Sequence, residues 1–394
     1  MANSVSAAYK SVQPNRTQAY LRSALVSDVI AKAEFGQVVP AQNIKFPYGN
    51  SVKVQDYLYQ TGNPRTDMTL VADSYNIDQV KTAVMGYDRV QNLQVQNPDW
   101  VDGVESEMGY QLARNVDQYV INTGVNAAYT TVAGGTISAG SMLGLLANVN
   151  AYLFEAQRMK GMLYVVMDPL RAALLPQMDA AHGYVRADDA LIKGFNGYEG
   201  QQAVGFKVLV SNNLKYTVVL TTATNPTAGQ TITIGGFTAT FRATGTAALA
   251  NEISLGANAA ATEANLRDWI NGTGTPGAST YIDASPDDRT QMQNSQLNCT
   301  AFASDVATIT KYGRIGLTTD ITNAVVGTET SYMLAGVAGA IDLTMVQEPY
   351  FETVQASVAA GSVTHAKDMI MTELFGAGVW YRRKRSLAKI SFNA

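Results

Sequence analysis

The chain has 394 residues, 46% of them hydrophobic and only 15% charged, with a formal net charge of -4. That length suits two to three domains of about 150 residues each, and the apolar fraction excludes disorder as a global description. The acidic balance argues against tight nucleic-acid binding, and a single cysteine, Cys299, excludes a disulfide framework or a cysteine-built zinc site.

In chain order, residues 1–45 read as an arm. Apolar residues at Leu21, Leu25, Val29 and Ala33 predict one amphipathic helix from about Arg16 to Phe35, ended by Gly36 with Pro40 close behind. A single helix of that length needs a surface to pack on. Residues 46–90 predict an extended two-stranded loop. Its outgoing strand runs from about Ser51 to Gln60, where Val52, Val54 and Leu58 alternate with polar neighbours. A polar turn, Gly62-Asn63-Pro64-Arg65, leads to a return strand over about Asn76 to Met85. Two strands by themselves are marginal in water, so the ribbon also requires a partner surface.

Residues 97–128 carry the clearest helical pattern. Asn97 suits the N-cap, Pro98 the first helical position and Asp99 the positive end of the dipole. Val101, Val104, Met108, Leu112, Val116 and Val120 then form one apolar stripe, which makes this helix a spine. A break at Gly134-Gly135 precedes a helix over Ser141 to Met159 and a buried strand over Met162 to Met167. Asp168-Pro169 opens a short helix reaching about Gln177, and Val204 to Val210 predicts a further strand ended by Ser211-Asn212-Asn213.

At Thr217 the composition changes. Residues 217–328 hold 23 of the 37 threonines but only five Lys or Arg. Thr231 to Ile234, Gly235-Gly236 and Phe237 to Phe241 predict a tight hairpin, Ala260 to Ile270 a helix, and Ser279 to Asp283 and Val306 to Thr310 strands. This reads as a β-rich module inserted into a surface loop. Residues 329–394 predict a strand around Phe351 to Ala356, a helix around Val363 to Glu373 and a final strand from Val379.

The chemistry-bearing residues are sparse. Gly272-Thr-Gly274-Thr-Pro-Gly277 matches GxGxxG, but a helix precedes it and Pro276 removes an amide, so it reads as a loop. The acidic neighbours Glu105 and Glu107, Asp188 and Asp189, and Asp287 and Asp288 do not share a face and read as solvated surface. His182 and His365 lack partner motifs, and Cys299 reads as a small buried residue. Arg382 to Arg385 is the one strong basic run, placed in the predicted terminal strand, where alternation would divide its charges between two faces. The sequons at Asn15, Asn271 and Asn298 are chance matches, because Met1 to Lys10 shows no secretory pattern. No catalytic, cofactor-binding or metal-binding residue is assigned. No window reaches 18 apolar residues, so the expectation is a soluble protein made in a cytoplasm, with no membrane partner.

Three stretches resemble the major capsid proteins of tailed double-stranded-DNA bacteriophages. Val204-Gly-Phe-Lys-Val-Leu-Val-Ser-Asn-Asn-Leu214 is similar to their GF-x-V-x-x-SNNL strand, with Lys215 where a proline often follows. Leu163 to Gln177, a strand ending in Asp-Pro and a Leu-rich helix, resembles the segment before it. Glu373 to Tyr381 followed by Leu387 to Ile390 is similar to their closing strand, with Arg383 to Arg385 in place of a proline.

The resemblance implies an α+β tailed-phage capsid (Johnson) fold. Its parts would be an N-terminal arm (1–45), an extended two-stranded loop (46–90) and a peripheral domain with the spine helix (91–136, returning over 346–394). An axial domain (137–216, returning over 329–345) and a β-rich insertion domain (217–328) complete it. It further implies a homo-oligomer of hexamers and pentamers in an icosahedral virion, no enzymatic activity, and no cofactor. A separate scaffolding protein, a portal and decoration proteins would be its partners, with weak, non-specific contact to packaged DNA on the inner face. The low charge fraction agrees, since each subunit would bury surface against several neighbours. Some relatives crosslink through Lys and Asn; Lys53, Lys81 and Asn393 are the residues available, and no motif supports their use. The competing readings are an encapsulin-like cargo compartment, a carbohydrate-binding or adhesive protein built on the Thr-rich module, and an enzyme.

Overall fold

The computed structural model describes residues 26–35, 43–49, 70–88, 100–156, 158–175, 177, 202–203, 205–355 and 366–393. It divides into two compact units, Met1–Val116 with Ala338–Ser386, and Asp117–Val337 with Leu387–Ala394. The spine helix, Trp100–Ala127, runs from one unit into the other. Asn97 to Asp99 lie outside the described residues.

In the first unit a four-stranded sheet has the order Ala31–Phe35, Ile341–Gln355, Ala366–Gly378, Gln79–Asp88. The first pair is parallel and the others antiparallel. Along Ala366–Gly378 the residues Met369, Met371, Glu373 and Phe375 are buried, and those between them are half-buried. That is the two-residue period of a strand. Met108 and Leu112 of the spine helix pack on Met369 and Met371, with Ala83 beside them.

Three sequence expectations fail in this unit. The helix predicted over Val363 to Glu373 is a strand from Ala366 onward, hydrogen-bonded on both sides. Met, Leu, Glu and Ala favour helix locally, and the two strand partners outweigh that preference. The arm helix stops at Ile30, because Ala31–Phe35 pairs with Ile341 to Met345 instead; Arg16 to Leu25 lie outside the described residues. The return strand of the ribbon is two strands. Asn43–Gly49 pairs with Leu70–Asn76, and after buried Ile77 the chain enters the four-stranded sheet as Gln79–Asp88. Ser51 to Gln60 lie outside the described residues.

The second unit is built on a ten-stranded sheet. Its hub is the strand Thr330–Val337. On one side the hub pairs along nearly its whole length with the terminal strand, Leu387–Asn393. On the other it pairs first with Lys215–Thr222 and then with Leu163–Met167, which in turn lies parallel to Phe206–Val210. The terminal strand also pairs in parallel with Thr130–Gly135. All five residues of Leu163–Met167 are buried, as its unbroken apolar run predicts. Ser138 caps the helix Ala139–Glu155, whose Met142, Leu145, Leu146, Val149 and Leu153 are buried.

Within the Thr-rich segment, Lys215–Thr222 and Val306–Tyr312 extend the ten-stranded sheet. The hairpin of Thr231–Ile234 and Phe237–Arg242 turns at Gly235 and Gly236, whose φ values of 64° and 93° are left-handed. Glu252–Ser254 and Thr318–Thr319 complete its four-stranded sheet. The helix Ala259–Asn271 is capped by Asn258 and ends on left-handed Gly272, which accounts for the first glycine of the GxGxxG match. Ser279 to Asp283 is not a strand; Tyr281 makes one isolated bridge to Ile253. A helix the periodicity missed, Pro286–Asn294, follows Ser285 as its cap. It buries Arg289 and Met292, too few apolar positions to leave a helical signal. Arg289 donates to the carbonyls of Trp269 and Ile270 at 2.6 and 3.2 Å, placing a cation at the end of the preceding helix.

Among the described residues of the first unit, one buried side chain has no hydrogen-bond partner. Glu373 is fully buried, and neither carboxylate oxygen is satisfied. Burial pushes its pKa up to about 8, against a smaller opposing pull from Lys81, which lies opposite it in register. Between an ordinary value of 4.5 and about 8 the folded chain keeps a proton that the unfolded chain has released, so Glu373 makes stability fall as pH rises across that window. Glu373→Gln should flatten this part of the urea-unfolding profile and stabilise the protein above pH 8 by on the order of 2 kcal/mol. A wild-type profile that rises with pH in step with the variant would contradict it.

Candidate functional site

Two of the stretches that carry the family resemblance, and the Leu387 to Ile390 end of the third, lie in the second unit's sheet, while Glu373 to Tyr381 belongs to the first unit. The terminal strand, the hub, Leu163–Met167 and Phe206–Val210 lie side by side in that order. A buried polar network ties their ends. Asp168 caps the helical turn Pro169–Ala172, accepting from the Arg171 backbone N–H at 3.3 Å and its guanidinium at 3.1 Å. The same guanidinium donates to the Asn393 carbonyl and lies 4.5 Å over the Phe392 ring. Phe392 meets Tyr216 edge-on at 6.0 Å. Burial, with Asp168 second, pushes the Tyr216 hydroxyl far above its ordinary value. Arg171 and Asp168 are both buried, so each charge depends on the other and on the last strand's carbonyl.

A second buried carboxylate explains the Ser-Asn-Asn sequence. Asp117, on the spine helix, is fully buried. It accepts from Asn213 Nδ2 at 2.7 Å and Ser211 Oγ at 3.3 Å, while Ser211 Oγ also accepts from the Asn213 backbone N–H at 3.1 Å. Small polar donors suit this strand end, because their hydrogen bonds offset part of the cost of burying the carboxylate beside it.

In the first unit the closing motif makes a comparable clasp. Trp380 Nε1 and Arg383 Nη1 both donate to Asp342, the latter at 2.7 Å, and the Tyr381 N–H donates to Asp73 at 2.7 Å. The Trp380 ring lies 5.4 Å from Tyr75, whose hydroxyl hydrogen-bonds Thr344 Oγ1 at 2.6 Å. Gly378 is required by this packing, since a Cβ there would enter the Tyr75 ring. The clasp corrects the reading of the basic run. Arg382 to Lys384 lie on a helical turn, Tyr381–Lys384, ahead of the terminal strand, and Arg383 is spent on Asp342 and the Gly339 carbonyl.

Among the described residues, the other candidates do not converge. Glu107 is exposed and accepts from Gln111 at 2.6 Å, and Glu105 is on the same helix. Asp287 and Asp288 occupy the first turn of the helix Pro286–Asn294, as suits its dipole. Burial pushes the Cys299 thiol up to about 12, leaving it protonated at neutral pH. Lys53, His182, Asp188, Asp189 and His365 lie outside the described residues. Among the described residues no group of three or more His, Cys, Asp or Glu could hold a metal ion. The sequence reading missed Asp117, Arg171, Glu252 and Glu373. Glu252, held by the Ala248 and Leu249 N–H groups and by Arg242, has its pKa pulled down to about 2. A charged residue inside an apolar stripe, Asp117 beside Val116, was the one available signal.

No protein-family model matches the sequence, and no curated protein matches it. Solved structures do. The capsid structure of cyanophage P-SCSP1u overlays with a TM-score of 0.52 at 13% identity, covering 94% of this chain and 88% of that one. A Mycobacterium phage Che8 structure overlays at 0.49 and 11% identity, covering 89% and 84%. A virus-like particle from Pyrococcus furiosus overlays at 0.41 and 8% identity, covering 97% and 99%. The fold assignment rests on the first: this chain has the α+β capsid fold of tailed phages.

The Arg171 network sets a measurable stability. Arg171→Met keeps the stem but leaves Asp168 buried without its cation and the Asn393 carbonyl without its donor. Urea unfolding should report a loss of about 3 kcal/mol. Arg385→Ala, at an exposed position, should change stability by less than about 0.5 kcal/mol. Equal effects of the two substitutions would contradict the network's role.

Proposed function

We propose that the chain is the major capsid protein of a tailed bacteriophage, a structural subunit that assembles into the hexamers and pentamers of an icosahedral head enclosing double-stranded DNA. The observation that carries this is the overlay on the cyanophage capsid structure along 94% of the chain. It is supported by the pairing of the motif strands Leu163–Met167 and Phe206–Val210, with the terminal strand Leu387–Asn393 in the same sheet across the hub. In this reading residues 1–45 are the arm and 46–90 the extended loop, which clasp neighbouring subunits. Residues 91–136 and 346–394 form the peripheral domain, 137–216 and 329–345 the axial domain, and 217–328 the insertion domain. The subunit is not an enzyme and takes no cofactor. Its work is packing: long strands and a 28-residue helix give rigid bodies, and low surface charge permits burial against many copies.

Its partners in this reading are a separate scaffolding protein, a portal and decoration proteins. Contact with packaged DNA is weak and non-specific, because the basic run is partly spent on Asp342. The subunit resides in the virion after assembly in the host cytoplasm. No helix among the described residues is long and apolar enough to cross a membrane.

Expression in a bacterial cytoplasm, followed by sedimentation and negative-stain imaging, tests the reading. Shells, tubes or hexamer-sized capsomers are expected, with the chain alone or with its scaffolding partner. Particle diameter and contents separate a DNA-packaging head from a cargo compartment. A monomer that stays monomeric with scaffold and binds a glycan would overturn it.

A further inference from the structure

A polar cleft of about 330 Å³ opens on the second unit. One wall is the end of the spine helix, where Asn122 and Asn126 stand beside buried Ile121 and Val125. The other wall is sheet. Lys215 faces Tyr312 in register, and the Lys389 ammonium lies 5.1 Å from the centre of the Tyr332 ring.

The charge of this cleft is one-sided. Both lysines line it, no carboxylate does, and neither lysine has an acidic partner among the described residues. Asp117, one turn before Ile121 on the spine helix, is fully buried and already holds the donors of Ser211 and Asn213. The whole chain carries more acidic than basic residues, so two cations facing one cavity without a counter-charge is a local departure from its own balance. An anionic group would relieve the like-charge pairing and gain charge-assisted hydrogen bonds. The side-chain amides of Asn122 and Asn126 offer both donors and acceptors, as a peptide bond requires of its partner.

We propose that this cleft is a docking site for an acidic peptide segment, with side-chain carboxylates on Lys215 and Lys389 and main chain on the asparagine amides. Nucleic acid fits it less well. Two ammonium groups release few counterions, and the face of Tyr332 is already covered by Lys389 rather than open as a stacking platform. Docking of this kind does not depend on the assembly reading.

The test is fluorescence anisotropy of labelled hexaglutamate with the full chain, at low and high salt. Saturable one-to-one binding that weakens with salt is expected, and the double variant Lys215→Ala/Lys389→Ala should weaken it at least about tenfold. Lys160→Ala, at an exposed position outside the cleft, should leave it unchanged. If the double variant fails to fold, reductive methylation of the unaltered chain, read by mass spectrometry, decides instead: saturating peptide should protect Lys215 and Lys389. Absence of saturable binding, equal affinity in the double variant, or unprotected lysines would overturn the proposal. So would tighter binding of a single-stranded oligonucleotide of equal charge.

Discussion

The structure of the second unit depends on one long-range closure: the last strand of the chain must lie beside the hub before the sheet is complete. Leu387–Asn393 pairs with Thr330–Val337 on one edge and Thr130–Gly135 on the other, so it joins segments from the two ends of this unit's chain. Each such pairing carries a loop-closure cost that local hydrogen bonds do not repay. The closure is then locked by charge. Arg171 bonds the final carbonyl of that strand and stacks on Phe392, while Asp168 holds the guanidinium in place. A guanidinium suits this joint because its fork reaches a carboxylate and a carbonyl together, which an ammonium does not do with the same geometry.

The same economy recurs in each unit. The chain has few charges, and several of them sit at joints: buried Asp117 against the Ser-Asn-Asn corner, half-buried Asp342 against Trp380 and Arg383, buried Arg289 at a helix end. Buried pairs of this kind add little net stability compared with apolar packing, but each is costly to break on one side. They therefore fix which segments meet. Specificity inside each unit is thereby secured by a few polar contacts. Glu373 departs from the pattern, being buried without a hydrogen-bond partner and facing Lys81 across the strand pair.

What was legible in the sequence was whatever a single segment decides by itself. The spine helix shows its stripe because Met108, Leu112, Val116 and Val120 are all buried on one side. The Gly235-Gly236 hairpin and the all-apolar strand Leu163–Met167 were equally local. The failures share one physical cause. Ala366–Gly378 and Ala31–Phe35 have helix-favouring compositions, and partners remote in the chain impose strand geometry on them. The basic run was misplaced for a related reason: the turn at Tyr381–Lys384 is set by Asp342 and Asp73, about 40 and 300 positions away. Arg171 and Asn393 lie 222 positions apart, so nothing near either residue announces their bond. The motif resemblance reached the right fold without it, because order of segments survives where single contacts leave no trace.

Hydrogen exchange measured by mass spectrometry on the full chain tests the closure most directly. If the terminal strand is part of the core, amides of Leu387–Asn393 exchange as slowly as those of Thr330–Val337 and Leu163–Met167, through the same cooperative opening. If peptides covering the terminal strand exchange at loop rates while the hub and Leu163–Met167 stay protected, the sheet does not depend on its last strand and the account is wrong.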